Sequence, residues 1–364
     1  MSRQQTTVIK ALPARFYTDP EVYRHELDAI FSATWQYACH VEKLRRPGDY
    51  LVCEIAGESL ILIREDADTI NAFYNVCAHR AARLVSGEGC TRRLSCPYHA
   101  WTYNTRGELI AVPNAQNVSG FDIGDYRLRP CRVEQLHGLV FVNLDDAATP
   151  MAEQVPEFAR DLVAYAAEMP QLTFVHRTEA MLEANWKVAL ENFSECYHCE
   201  LIHKKLTNSV LDMNSYSIKV LECSQKHLSG SKAGDERAYA FEDQAASDFV
   251  SWWLWPNFAF QSYPGGRAHV WQWTPLDVEH THLAVDWYFP SAEMADWEAE
   301  LIHHHAQTTF REDQEIVASV QRGLNSRAYQ SGPLMIDAAR SQYSEHAVAA
   351  IQQLWRDAMG VDDD

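Results

Sequence analysis

The chain has no run of apolar residues approaching the ~20 that a membrane-spanning helix needs. Its first segment, Met1 to Phe16, contains no apolar core of signal-peptide length. No basic tract occurs anywhere in its 364 residues, and the formal charge is −19. Nucleic acid and anionic membranes attract proteins through clustered Lys and Arg, so neither is expected as a partner. A cationic substrate or a basic protein partner is compatible with this charge, which selects neither by itself. No internal repeat and no low-complexity stretch interrupts the sequence. With 47% hydrophobic and 22% charged residues it has the ordinary mixture of a soluble globular chain. Nine cysteines without an export signal point to reduced thiols or metal ligands in a cytoplasmic protein.

The length exceeds what one hydrophobic core usually serves, so two domains are expected. Thr18-Asp19-Pro20-Glu21 reads as a capping box opening a helix that runs through Phe31 to Trp35. Tyr50 to Ile55 and Ser59 to Ile63 are β-rich runs around the turn Ala56-Gly57-Glu58, and Thr69 to Val76 and Gly138 to Leu144 read as further strands. Beyond Asp145 the helical period returns, with helices expected over Glu157 to Met169, Asn185 to His203, Ala295 to Leu324 and Ser344 to Met359. Phe258 to Tyr263 and Ala268 to Thr274 flank the turn Pro264-Gly265-Gly266 and predict an antiparallel hairpin. The small, polar stretch from Ser229 to Asp235 predicts a mobile loop. The expected organisation is α+β: an N-terminal helical segment (1–36) packing on a catalytic domain, a β domain (37–145), and the catalytic domain (146–364).

Two motifs carry chemistry. Cys77-Ala-His79 and Cys96-Pro-Tyr-His99 form Cys-x-His, a gap of sixteen residues, then Cys-x-x-His. Two thiolates and two imidazoles also suit tetrahedral zinc. The single-residue gap in Cys-x-His is nevertheless wrong for a zinc knuckle, which spaces paired ligands by two to four. It suits two facing loops, each giving one Cys to one iron and one His to the other, the ligation of a Rieske two-iron two-sulfur cluster. Pro97, Tyr98 and Trp101 would cover such a cluster with apolar surface and restrict water.

The second motif is Glu195-Cys196-Tyr197-His198-Cys199-Glu200-Leu-Ile-His203. Two histidines separated by four residues can meet at one metal where a helix is distorted, as a π-bulge allows. With a remote carboxylate they would form a two-His-one-carboxylate triad, whose open positions mark non-haem ferrous oxygenases. Cys196 and Cys199 could instead be a redox pair or half of a zinc site, but no second thiol pair lies at a suitable distance. Taken alone the histidine pair would be unremarkable core. The two motifs reinforce each other.

With both motifs in view the chain resembles the catalytic α subunits of Rieske non-haem iron oxygenases over essentially its whole length. The resemblance implies a Rieske β domain followed by a helix-grip-like catalytic domain with an antiparallel sheet. It implies Cys77, His79, Cys96 and His99 as cluster ligands and His198 and His203 as ligands of a mononuclear iron. The third iron ligand is expected in Arg311-Glu312-Asp313, with Asp313 preferred and Glu312 left open as its rival. Many members have Asp three residues before the first histidine ligand, bridging to the cluster of a neighbouring subunit; here that place holds Glu195. A Glu there is similar to the carnitine monooxygenase branch, as are Pro13-Ala-Arg-Phe, Trp253-Leu-Trp-Pro, Val320-Gln-Arg-Gly-Leu and Gly332-Pro-Leu-Met-Ile-Asp. The implied activity is dioxygen-dependent hydroxylation of a carnitine- or betaine-like quaternary ammonium compound next to nitrogen, followed by C–N cleavage. The implied partners are a small-molecule substrate, a separate NAD(P)H-dependent reductase and two further copies in a homotrimer. An aromatic-ring hydroxylase and a non-catalytic electron carrier are the alternatives.

Two features invite over-reading. Consecutive helical residues point about 100° apart, so His303, His304 and His305 cannot converge on one ion. They are expected to be solvated or packing residues, with at most one facing the core. Trp252, Trp253, Trp255, Trp271 and Trp273 read mainly as hydrophobic core, with one or two expected to line a substrate pocket and offer cation–π contacts.

Overall fold

A computed structural model describes residues 8–232, 237–241 and 248–362. The chain divides into two compact units, one spanning Leu27–Gln154, the other combining the chain up to Glu26 with the chain from Val155 onward.

The first of these is built of β1 (Gln36–His40), β2 (Asp49–Ile55), β3 (Glu58–Arg64), β4 (Ile70–Tyr74), β5 (Glu88–Cys90), β6 (Arg93–Ser95), β7 (Thr102–Asn104), β8 (Leu109–Ala111), β9 (Pro130–Leu136) and β10 (Leu139–Asn143). A seven-stranded antiparallel sheet runs in the order β1-β10-β9-β4-β3-β2-β5, and β6-β7-β8 form a second sheet. The predicted hairpin around Ala56 and Gly57 is present, with φ of 50° and 83° there. Two successive positive φ values give the turn whose twist matches the flanking strands. The uninterrupted apolar run Leu60–Ile63 is explained by burial on both faces. Leu60 and Leu62 enter a core with Val140 and Val142, whereas Ile61 and Ile63 enter one with Phe73, Cys77, Cys96 and Trp101. The second core thus lies directly beneath the candidate cluster ligands.

The other unit carries β11 (Thr173–Leu182), β12 (Ser217–Val220), β13 (Ser224–Ser229), β14 (Phe249–Leu254), β15 (Phe258–Tyr263), β16 (Arg267–Pro275) and β17 (Thr281–Phe289). They form one antiparallel sheet in the order β11-β17-β16-β15-β14-β13-β12. The predicted hairpin at Pro264-Gly265-Gly266 is β15–β16. Its helices include Trp186–Phe193, Asp296–Gln307, Thr309–Leu324 and His346–Met359. The expected α+β architecture with an antiparallel catalytic sheet is therefore the observed one.

Several boundaries differ from expectation for identifiable reasons. The helix Pro20–Glu26 is capped by Asp19, whose carboxylate accepts from the Glu21 N–H at 2.8 Å, so the cap lies one residue after Thr18. The single long helix expected over Ala295 to Leu324 breaks at Thr308, where φ is −117° and ψ −100°. Helix Asn185 to His203 is also broken: Trp186–Phe193 ends, a turn follows, and Cys199–Ile202 and Lys204–Ser209 continue. No π-bulge is involved there. The expected mobile loop begins as the end of β13 at Ser229, and its residues 233–235 lie outside the described residues.

Glu26 shows how the helices are pinned together. Its carboxylate is fully buried and accepts from Trp186 Nε1 at 2.7 Å, from Trp355 Nε1 at 2.6 Å, and from the buried Lys187 ammonium. A buried charge pair is tolerated only when its remaining hydrogen-bonding capacity is satisfied, which the two indoles accomplish.

Candidate metal centres

The first centre is built from two loops closed in the same way. Cys77 N–H donates to Ala82 O at 2.9 Å and Ala81 N–H to Cys77 O at 3.0 Å. In the other loop Cys96 N–H donates to Trp101 O at 2.8 Å and Ala100 N–H to Cys96 O at 3.0 Å. Ala81 and Ala100 hold φ of 58° and 57°, so each loop needs one residue in the left-handed region to close. Asn75 braces the first loop by accepting from Leu84 N–H and donating to Val85 O, both at 2.8 Å.

The ligand side chains separate by depth. Cys77 and Cys96 are buried, His79 is exposed and His99 intermediate. The two imidazoles lie 4.7 Å apart between ring centroids, and His79 stacks on Trp101. His99 Nδ1 is buried with no hydrogen-bond partner, as a metal-ligating nitrogen would be. Buried thiols and outer imidazoles fit a two-iron cluster. Sequence reading missed Tyr103. Its oxygen accepts from Ala78 N–H at 3.1 Å and lies 3.3 Å from Cys77 Sγ, where its proton can be donated to the sulfur. Burial, reinforced by Cys77, pushes the Tyr103 phenol well above its ordinary pKa, keeping it a donor. Its position two residues after Trp101 on β7 was the only available signal.

The second centre gathers three donor atoms. His198 Nε2 and His203 Nε2 are 3.1 Å apart, and Asp313 Oδ1 lies 3.0 Å from the latter and 3.7 Å from the former. They form the one such group among the described residues. Asp313 Oδ1 is buried and makes no well-formed hydrogen bond despite this proximity. Two imidazole nitrogens and one carboxylate oxygen converging on one point fit a ferrous site. The break after Phe193 makes this possible, because it turns His198 toward His203 where a regular helix would splay them.

Glu312 and Asp313 are neighbours with opposite roles. Glu312 Oε2 is 2.9 Å from Nδ1 of His203, the ring nitrogen facing away from the convergence point. Glu195 Oε1 stands 2.5 Å from Nδ1 of His198, and its other oxygen accepts from the backbone N–H of Tyr197 and, at 3.2 Å, of His198. Each histidine thus has a carboxylate on its outer nitrogen, which orients the ring. Burial opposes charging of His203, but Asp313 and Glu312 outweigh it and raise its pKa to about 9. Asn192 Nδ2 approaches His198 Nε2 at 3.4 Å and was not anticipated.

Cys196 and Cys199 are joined in a disulfide, with Cα atoms 4.8 Å apart, which departs from the expectation of reduced thiols. Of the histidine triplet only His305 is buried, so at most one faces the core as expected. Trp271 lines the cavity beside Asp313 with Phe193, Phe249 and Tyr263, whereas Trp252 and Trp253 are core. No described helix is long and apolar enough to cross a membrane.

Comparison with known proteins agrees with both centres. Residues 34–122 match the Rieske [2Fe-2S] domain family, and residues 169–361 match the ring hydroxylating alpha subunit (catalytic domain) family. The chain is 35% identical to the carnitine monooxygenase oxygenase subunit of Escherichia coli (strain K12), over 94% of this chain and 92% of that one. It is 30% identical to the chloroplastic choline monooxygenase of Beta vulgaris, over 88% of this chain and 72% of that one. A solved quaternary ammonium Rieske monooxygenase superposes with a TM-score of 0.87 at 33% identity, covering 96% of each chain.

Proposed function

The chain belongs to the Rieske non-haem iron oxygenases, and from that membership we propose that it is the terminal oxygenase of a multicomponent system that hydroxylates a quaternary ammonium compound next to nitrogen and so breaks a C–N bond. The observation that carries this reading is the convergence of His198, His203 and Asp313 beside a cavity walled by aromatic rings. When bound, a Rieske cluster supplies single electrons and a mononuclear iron supplies dioxygen activation.

In this reading Cys77, His79, Cys96 and His99 hold the cluster, with Tyr103 donating to the Cys77 sulfur. His198, His203 and Asp313 hold the iron, and Glu195 and Glu312 fix the orientation of the two imidazoles. Phe193, Tyr263 and Trp271 line the cavity, exclude water and offer aromatic contacts to a cationic head group. The hydroxylated carbon is then a hemiaminal carbon, from which the amine departs. Electrons come from a separate NAD(P)H-dependent reductase. The working unit is a homotrimer in which Glu195 links His198 to the cluster of the adjoining subunit. Inter-subunit electron transfer is described for the solved quaternary ammonium Rieske monooxygenase, and Glu195 already holds the outer nitrogen of His198.

The test is turnover of metal-loaded protein with a reductase, NADH and a panel of quaternary amines and aromatic acids. Release of an amine and a carbonyl compound, matched to dioxygen consumption, is expected with the amines. Oxidation restricted to the aromatic acids would refute the substrate class while leaving the oxygenase reading intact. An iron content of about two rather than about three per chain would favour an electron carrier instead.

A further inference from the structure

The floor of the iron-site cavity includes a polar row that crosses four strands in register and ends against Trp287 on a fifth. Residues facing one another across the sheet are His227 and Ser251, Ser251 and Gln261, Gln261 and His269, then His269 and Trp287. A continuous buried polar row demands an explanation. His227, Ser251 and Gln261 line the cavity, each no more than 6% exposed.

The hydrogen bonds fix what this row presents. Gln261 Oε1 accepts from Trp271 Nε1 at 3.1 Å and lies 2.7 Å from His269 Nε2. An indole N–H can only donate, and of its two acceptors the Gln261 oxygen at 3.1 Å is nearer than His269 Nε2 at 3.3 Å, which places the amide oxygen toward Trp271. The Gln261 amide nitrogen therefore donates to Ser251 Oγ, at 2.9 Å. That occupies the serine oxygen as an acceptor and leaves its proton to be donated. Beside it, His227 Nδ1 is 2.7 Å from the Tyr216 hydroxyl, while Nε2 is buried with no partner. Burial, then the nearby His346, hold the His227 pKa down to about 3, so the imidazole is neutral. The floor thus offers one O–H donor and one unsatisfied imidazole nitrogen. No lysine or arginine is among the described residues lining this cavity, whereas Glu195 and Asp313 both are.

We propose that His227 and Ser251 bind the oxygen-bearing end of the substrate and select a quaternary ammonium alcohol over the corresponding carboxylate. In the His227 tautomer whose Nδ1–H donates to the Tyr216 oxygen, an alcohol oxygen accepts the Ser251 proton and its own proton goes to His227 Nε2, satisfying both groups. A carboxylate has no proton to give, so His227 Nε2 would stay unsatisfied, and it would be buried beside Glu195 and Asp313 with no lysine or arginine among the described lining residues, which is costly. This rests on the quaternary ammonium reading above and narrows it.

The test uses metal-loaded protein with a reductase and three probes of matched size: choline, glycine betaine, and propyltrimethylammonium, which lacks the oxygen. We expect kcat/KM for choline to exceed that for glycine betaine by about tenfold or more, from one satisfied against one unsatisfied buried group. In Ser251→Ala, kcat/KM for choline should fall through KM, at least fivefold more than for propyltrimethylammonium. The probe series needs no variant, so it decides even if Ser251→Ala folds poorly. Equal or greater efficiency with glycine betaine overturns the inference and leaves the proposed function standing. Equal losses for the two other probes in Ser251→Ala also overturn it. Turnover of none of the three, with an aromatic acid consumed, overturns both together.

Discussion

The pair Glu312 and Asp313 offers the sharpest perturbation, because adjacent carboxylates should fail differently when removed. Asp313 Oδ1 is within 3.0 Å of the inner nitrogen of His203, whereas Glu312 sits 2.9 Å from the outer one. Asp313→Ala removes one of three donors, and mononuclear iron and turnover should both be lost. Glu312→Gln removes a charged acceptor from behind a ligand, a change that typically weakens metal binding 10–100-fold, or about 1.4–2.8 kcal/mol. The Glu312 side chain is 32% exposed, so water can stand in for part of its hydrogen bond. That places the expected loss near the lower end, about tenfold. The assay is iron retained against a graded ferrous chelator, with the visible absorbance of the cluster as internal standard. Both variants should keep the cluster spectrum. If Glu312→Gln lost iron completely while Asp313→Ala retained it, the third ligand would be Glu312 and the geometric argument would fail.

Cys77→Ser or His99→Ala should abolish the Rieske absorption and paramagnetic signal, since no nearby residue can replace either ligand; a normal spectrum would disprove the ligand assignment. Glu195→Gln should keep both metals and a reducible cluster yet slow single-turnover oxidation of the pre-reduced cluster with substrate and dioxygen; unchanged kinetics would remove support for the bridge. Burial raises the Glu191 pKa from 4.5 to about 7, despite hydrogen bonds from Tyr17 at 2.6 Å and Gln352 at 3.1 Å. A carboxyl raised in the folded state contributes fully below its unfolded pKa and loses that contribution as pH rises through the folded value. Wild type should therefore lose up to about 3 kcal/mol between pH 4.5 and 8 through this group, at about 1.4 kcal/mol per unit. The melting advantage of Glu191→Gln over wild type should grow across that range, and a constant difference would contradict the burial argument. Glu26→Ala strands the buried Lys187 ammonium and should cost about 3–5 kcal/mol in denaturant unfolding, the usual result of breaking a buried pair.

What the sequence made legible follows the range of the interaction. Each half of the candidate cluster site occupies one tight loop, so Cys77-x-His79 and Cys96-x-x-His99 could be read without knowing how the loops meet. The choice between Glu312 and Asp313 could not, because it depends on which nitrogen of a histidine 109 residues away each carboxylate reaches. Local periodicity also misled. Asn185 to His203 has a helix-like pattern, yet the chain breaks after Phe193, since continuous helix would keep His198 and His203 from sharing a focus. Tertiary placement of the donors overrides propensity there. Least legible of all was the cavity floor. His227, Ser251 and Gln261 lie in three separate strands, and nothing within any one strand says they align. A shift of one residue in either pairing would send a polar side chain to the opposite face and leave an apolar one in its place. The register of β13, β14 and β15 is thus itself a determinant of what the site can bind. Substitutions that disturb those pairings should change substrate preference before they change iron binding, because His198, His203 and Asp313 all come from outside the sheet.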